Sequence, residues 1–151
     1  LWYRDMTSEN PVSIRTFDNY LNMLLGNPPE CCGMGGVCGI QNVVEADGSV
    51  YPCDFYVLDE YRLGNLRTDS FGQIDKRREE IRFIESSRDF PEKCRGCRYF
   101  LLCRGGCRRM RSPMEGIEVL MNYFCSAYKS FFDKNLKDLE KLAAWVQAGR
   151  Y

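Results

Sequence analysis

The 151-residue sequence contains no histidine. Imidazole is the commonest metal ligand among protein side chains, and most mixed zinc sites combine it with cysteine. A site for a soft, four-coordinate metal in this chain must therefore consist of cysteine alone.

Long apolar runs and a net charge are also missing. No apolar stretch reaches the roughly 18 to 20 residues that span a membrane, and the first residues do not resemble a secretory signal. Twenty-one basic residues balance twenty-one acidic ones, so we expect no general attraction to nucleic acid or to a membrane surface. We expect a cytoplasmic protein, and the absence of an initiator methionine suggests a fragment of a longer chain.

Basic residues are nevertheless concentrated in one segment. The arginines of this segment are Arg95, Arg98, Arg104, Arg108, Arg109 and Arg111. We interpret them as a local group that faces an anionic cluster or an anionic substrate.

Cysteine is abundant, with nine residues, and three explanations compete. Disulfides suit small secreted proteins, but nothing here signals secretion. Two structural zinc sites would use Cys94-x2-Cys97 as one knuckle, although the other spacings are unlike those of zinc ribbons. Iron–sulfur clusters are wider than one ion and accept ligands from scattered loops. The spacings favour iron–sulfur clusters, with zinc and disulfides as the alternatives.

The pattern of apolar residues predicts an α+β fold. We expect a helix over 12–25, a small β-hairpin of strands 40–46 and 49–53 around the turn Asp47-Gly48, and short helices within 69–87. A long C-terminal helix should begin near Cys125. These helices would flank the hairpin and the cysteine-rich loops, which surround two metal-cluster sites. The predicted units are 1–30, which leads from a missing domain and carries a docking helix, the twin-cluster domain 31–125 and the C-terminal helix 126–151.

The motifs occur in a recognisable order. They are Cys38-Gly39, Asp47-Gly48-Ser49-Val50-Tyr51-Pro52-Cys53-Asp54-Phe55, Leu63-Gly64-Asn65-Leu66, Cys94-x2-Cys97-x5-Cys103-x3-Cys107 and a distant Cys125. This order resembles the SPASM domain of radical SAM peptide-modifying enzymes, and most of all the anaerobic sulfatase-maturating enzymes. The resemblance covers residues 32–125. Arg108 departs from it, since many relatives carry proline there, which affects the subfamily assignment and not the ligands.

The resemblance implies roles for individual residues. The ligands of a first auxiliary [4Fe-4S] cluster would be Cys32, Cys38, Cys53 and Cys107, and those of a second would be Cys94, Cys97, Cys103 and Cys125. Cys31 matches no ligand and is expected to be a bystander. Asp54 matches the general base that removes the side-chain proton of the target residue, which makes it the one catalytic residue implied for this chain.

The resemblance also implies the activity of the whole enzyme, the oxidation of a cysteine or serine in an unfolded sulfatase peptide to formylglycine. S-adenosylmethionine and a third [4Fe-4S] cluster would belong to a radical SAM barrel of the same full-length chain, because this sequence has no Cys-x3-Cys-x2-Cys motif. The fragment alone should be inactive, and in protein prepared in air its sites could hold zinc or stay empty. The alternatives are a SPASM domain of another peptide maturase, or a cysteine-rich zinc-binding module for peptide interaction.

Overall fold

The computed structural model describes residues 4, 8–10, 12–111 and 121–149. In this part of the chain the α-helices are α1 (Arg15–Leu24), α2 (Cys32–Gly35), α3 (Phe71–Glu80), α4 (Glu92–Arg95), α5 (Phe100–Cys103) and α6 (Cys125–Gln147). Short 3-10 helices cover Asp54–Tyr56, Asp59–Tyr61, Glu85–Arg88 and Arg108–Met110. The predicted α+β class and the long C-terminal helix are confirmed, and Cys125 is the first residue of that helix.

A small antiparallel sheet has the strand order β1 (Val43–Val44), β2 (Ser49–Tyr51) and β3 (Gly64–Asn65). The predicted hairpin turn is confirmed, because Gly48 has a φ of 86°, a conformation that glycine adopts without strain. The predicted strands were too long at both outer ends. Pro52 follows β2 and has no N–H to donate to a neighbouring strand. The third strand was not predicted, since a two-residue strand leaves no periodic signal.

The larger apolar core lies between α1 and α6, with α5 beside it. Helix α1 begins and ends close to its predicted limits and buries Tyr20, Leu21 and Met23. Phe132 of α6 is completely buried and contacts the rings of Tyr20 at 5.1 Å and of Tyr99 at 5.4 Å between centroids. This core therefore joins the two ends of the described chain.

A second apolar cluster, of Val50, Leu63 and Ile74, lies under the sheet and α3. Ser70 and Gln73 form a reciprocal capping box at the start of α3, which satisfies backbone N–H groups that the helix leaves unpaired. The prediction of short helices within 69–87 is confirmed by α3 and the 3-10 helix after it.

None of the helices in the described part of the chain is long and apolar enough to cross a membrane. The domain boundaries at residues 30 and 125 stay predictions.

Candidate metal centres

The first group of cysteines surrounds an open cleft of about 490 Å³, hereafter the first cleft. Its cysteine lining is Cys31, Cys32, Cys38, Cys53 and Cys107. Helix α2 begins at Cys32, and the chain leaves β2 through Pro52 to Cys53. Cys107 directly precedes the 3-10 helix Arg108–Met110. The thiols of this cleft therefore come from three separate segments of the fold.

The loop that carries Cys32 and Cys38 is pressed against the chain near Cys103. Gly36 has a φ of 76°, and a Cβ atom at this position would lie 2.0 Å from the carbonyl oxygen of Arg104. No other residue fits without moving one of these two segments. Gly36 therefore fixes the distance between the first-cleft loop and the chain that follows Cys103.

We expect Gly36→Ala to lower the free energy of unfolding by about 3 kcal/mol, because the left-handed backbone and the close carbonyl each oppose a side chain. Gly35→Ala is the matched control, since nothing lies within 4 Å of a Cβ added at Gly35 and its φ is not positive. Urea unfolding of the two variants and the wild type measures the difference. Equal stability of the two variants would contradict the role given to Gly36.

The second group of cysteines surrounds a narrow cavity of about 30 Å³, hereafter the second cleft. Its cysteine lining is Cys94, Cys97, Cys103 and Cys125. These residues come from α4, the turn after it, the end of α5 and the start of α6. The two sets drawn from the family resemblance thus lie in two separate clefts, although Cys103 and Cys107 are close in sequence.

Asn122 holds the start of α6 against the cysteine-rich segment. Its amide donates to the carbonyl oxygen of Gly105 at 3.0 Å, and its side-chain oxygen accepts from the Phe124 N–H at 2.8 Å. The backbone N–H of Cys125 donates to the Asn122 carbonyl at 2.9 Å. The sequence did not indicate this buried residue, which positions Cys125 at the second cleft.

The thiol linings can be compared with what a single zinc ion requires. A tetrahedral zinc site with Zn–S bonds of about 2.3 Å needs sulfurs roughly 3.8 Å apart. Among residues 4, 8–10, 12–111 and 121–149, no three cysteine or carboxylate side chains are arranged to hold one ion. The nine cysteines all lie in this part of the chain and are free thiols. Soft thiols are the ligands that zinc and iron–sulfur clusters both use, and the first cleft, of about 490 Å³, is wider than one ion.

Burial keeps several of these thiols protonated until a metal binds. It raises the pKa of Cys38 and, in the second cleft, the pKa values of Cys94 and Cys103. Burial also raises the pKa of Cys53 to about 11, an effect that the Phe55 backbone opposes and the Asp54 carboxylate reinforces. Since thiolate is the ligand form, loading of either cleft with metal must release protons.

Asp54 lies at the rim of the first cleft. It is the first residue of the 3-10 helix after β2, its side chain is exposed, and it accepts a hydrogen bond from the Cys53 thiol at 3.2 Å. The neighbouring Phe55 side chain is 54% exposed. A carboxylate in this position can reach both a group bound to Cys53 and a molecule that enters from solvent.

The arginines do not form one group, so the interpretation is wrong for those that pair on the surface and stays a prediction for those near the cysteines. Arg95 pairs with Glu92 at 4.0 Å and Arg98 with Asp133 at 3.1 Å, both on the surface. Arg108 does line the first cleft, where its guanidinium lies 4.8 Å from the Phe83 ring centroid. Arg111 is buried between the cysteine-bearing segments.

Comparison with known proteins agrees with this arrangement. Residues 32–98 match the SPASM family model, an iron–sulfur cluster-binding domain. The fold and its two cysteine clefts therefore define a SPASM-type iron–sulfur cluster-binding domain. A cysteine-type anaerobic sulfatase-maturating enzyme of Clostridium perfringens strain 13 is 47% identical over 133 residues, which are 88% of this chain and 36% of that enzyme. Over most of its length the chain is therefore similar to a part of the anaerobic sulfatase-maturating enzymes.

A serine-type relative and two solved structures are also similar to this chain. A serine-type anaerobic sulfatase-maturating enzyme of Bacteroides thetaiotaomicron is 31% identical over 121 residues, covering 79% of this chain and 29% of that enzyme. The solved structure of native anSMEcpe with bound AdoMet superposes with a TM-score of 0.88 at 44% identity, over 96% of this chain and 40% of that chain. The structure with AdoMet and the Cp18Cys peptide gives a TM-score of 0.87 at 44% identity, with the same coverage. The chain spans little more than a third of the length of its curated cysteine-type relatives from Clostridium.

Proposed function

We propose that this chain is the auxiliary-cluster domain of a radical SAM enzyme that oxidises a cysteine or serine of a sulfatase peptide to formylglycine. The observation that carries the proposal is the separation of the nine cysteines into a lining of five thiols and a lining of four, with Asp54 at the rim of the five-thiol cleft. In this proposal Cys32, Cys38, Cys53 and Cys107 hold one [4Fe-4S] cluster, and Cys94, Cys97, Cys103 and Cys125 hold the other. Cys31 lines the first cleft without serving as a ligand.

The two clefts suit different tasks. The first is wide and open at the side of Asp54, so a peptide side chain could approach a cluster held there. The second is nearly filled and is lined by Tyr99, Phe100 and Tyr128 in addition to its thiols. Restricted solvent access is a property of sites that hold a cluster for electron transfer or for structure.

Asp54 is the group of this chain that would act on the substrate. A carboxylate oxygen accepts the S–H or O–H proton of the target residue as its β-carbon is oxidised, so that a carbon–heteroatom double bond can form. S-adenosylmethionine would supply the oxidant for the β-carbon, and Cys32, Cys38, Cys53 and Cys107 would hold a cluster that could accept the remaining electron. Two solved structures of one relative, anSMEcpe, carry AdoMet together with a peptide, Cp18Cys in one and Kp18Cys in the other, which supports a peptide substrate.

The cysteine-type reaction is the better supported of the two. The cysteine-type relative is 47% identical to this chain, and the serine-type relative is 31% identical. The radical SAM barrel of the same full-length chain is the expected partner, and a cytoplasmic location stays a prediction.

Metal content tests the proposal against a zinc-binding peptide module. After anaerobic reconstitution we expect about eight irons and eight sulfides per chain, with the broad visible absorption of iron–sulfur clusters. Iron and zinc are measured by plasma mass spectrometry and sulfide by colorimetry, on protein reconstituted with both metals present. About two zincs and no sulfide would overturn the proposal and leave a structural module.

A further inference from the structure

Arg111 connects segments that belong to both clefts. Its guanidinium donates to the carbonyl oxygens of Gly36 at 2.7 Å, Ser87 at 2.8 Å and Asp89 at 2.8 Å. It also lies 4.5 Å from the centroid of the Phe90 ring. Gly36 belongs to the loop between Cys32 and Cys38, while Asp89 and Phe90 lead into α4 and Cys94. The residue therefore holds the first-cleft loop and the entry to the second cleft in one place.

The charge of Arg111 is not neutralised by the described part of the chain. The residue is 3% exposed and forms no ion pair with a carboxylate among the described residues. Its Nε–H is buried without a hydrogen-bond partner in the same part of the chain. A buried cation is costly unless anions lie nearby, so we expect negative charge from outside the described residues close to this guanidinium.

The cysteines of both clefts are candidates for that negative charge. Burial lowers the pKa of Arg111, and Cys38 and Cys107 of the first cleft, with Cys94 of the second, oppose this effect. Arg111 is thus electrostatically coupled to both sets, and clusters held by thiolates would provide the negative charge in both directions.

We propose that Arg111 is a positioning residue that serves as the shared counter-cation of both iron–sulfur sites and raises the reduction potential of each. The inference rests on the proposed function, because it requires that both clefts hold clusters. A reduced cluster carries one more negative charge than its oxidised form, so a fixed cation favours reduction. The low dielectric around a buried guanidinium strengthens this effect relative to a surface charge.

The test is a potentiometric titration of the anaerobically reconstituted full-length enzyme, followed by electron paramagnetic resonance. A solution reductant donates one electron to each cluster. For Arg111→Gln we expect both auxiliary couples to shift to lower potential, with at least a tenfold fall in the ratio of reduced to oxidised cluster at the wild-type midpoint, which is about 59 mV for one electron. Arg111→Lys keeps the charge and should shift both couples less.

Arg78→Gln is the matched control. Arg78 is equally buried, also donates to a backbone carbonyl and also has an unpartnered Nε–H, but its guanidinium contacts Gln41, Asn42 and Asp75 on the side of the sheet. We expect this variant to leave both potentials unchanged. A shift as large as that of Arg111→Gln would overturn the inference, as would a shift of only one auxiliary couple, or of neither, in Arg111→Gln.

Iron content distinguishes a failure of the proposed function from a failure of the inference on Arg111. A wild-type enzyme without auxiliary clusters would refute the proposed function before Arg111 is considered. If Arg111→Gln loads no auxiliary cluster, Arg111→Lys decides. Normal iron content with potentials close to wild type in the lysine variant supports the role of the charge. Loss of iron in the lysine variant as well shows that the residue only clamps the loops, and overturns the inference.

Discussion

Replacement of Asp54 by asparagine is expected to lower formylglycine formation by the full-length enzyme about 10²- to 10⁴-fold, the usual contribution of a general base. The amide keeps the size of the carboxylate but cannot accept the proton of the target side chain. Formylglycine is measured by mass spectrometry of a sulfatase-derived peptide, and release of 5′-deoxyadenosine is measured in the same samples. Cleavage of S-adenosylmethionine should continue, because Asp54 acts after the radical has formed.

Asp59→Asn provides a matched control for this experiment. Asp59 is the first residue of the next 3-10 helix and is exposed, as Asp54 is in its own helix, but it does not line the first cleft. We expect Asp59→Asn to retain wild-type yield. Normal formylglycine yield in Asp54→Asn would remove Asp54 from the mechanism. A loss of iron from that variant would show that its effect is on cluster binding instead.

Pairs of cysteine substitutions should reveal which thiols share a site. Removal of Cys53, Cys103 or Cys107 alone is expected to lower the iron content from about eight to about four per chain. Cys53→Ala combined with Cys107→Ala should also leave about four, because both thiols line the first cleft. Cys53→Ala combined with Cys103→Ala should leave none, because these thiols belong to different clefts.

Two substitutions in one site should remove no more iron than one of them does, whereas substitutions in two separate sites should remove the sum of their single losses. Iron and sulfide content after anaerobic reconstitution is the readout, and Cys31→Ala, which should keep about eight irons, is the control. The assignment of ligands would fail if the pair Cys53 and Cys107 lost all iron while the pair Cys53 and Cys103 kept half.

Local sequence patterns predicted much of the fold. Tyr20 and Leu21 belong to the series of apolar residues whose helical spacing predicted α1. Asp47-Gly48 predicted the hairpin turn, because the turn needs a residue with a positive φ. Both signals depend only on residues that are close in sequence. The third strand, Gly64–Asn65, was missed because its pairing with β2 depends on a distant segment. Asn65 is held there by the carboxylate of Asp69, which accepts its N–H at 2.7 Å, a contact that no periodic pattern encodes.

In the candidate site, too, some features were predicted from the sequence, and others depend on contacts between distant segments. The family resemblance divided eight cysteines into two sets, and the structure places those sets in two clefts. Their ligand roles and the role of Asp54 stay predictions. Sequence patterns did not identify Asn122 or separate Arg111 from the other arginines, because burial of a polar side chain results from tertiary packing. The residue type alone does not show whether an arginine is buried or on the surface.

The pairing of α1 with α6 has a consequence for how the protein is made on the ribosome. The apolar cluster of Val50, Leu63 and Ile74 comes from one continuous stretch, so it can form soon after that stretch emerges. The core between α1 and α6 joins residues more than a hundred positions apart, and contacts of such long range form slowly. We expect the apolar face of α1 to stay exposed until α6 has been synthesised. The nascent chain would thus need protection from aggregation over that interval.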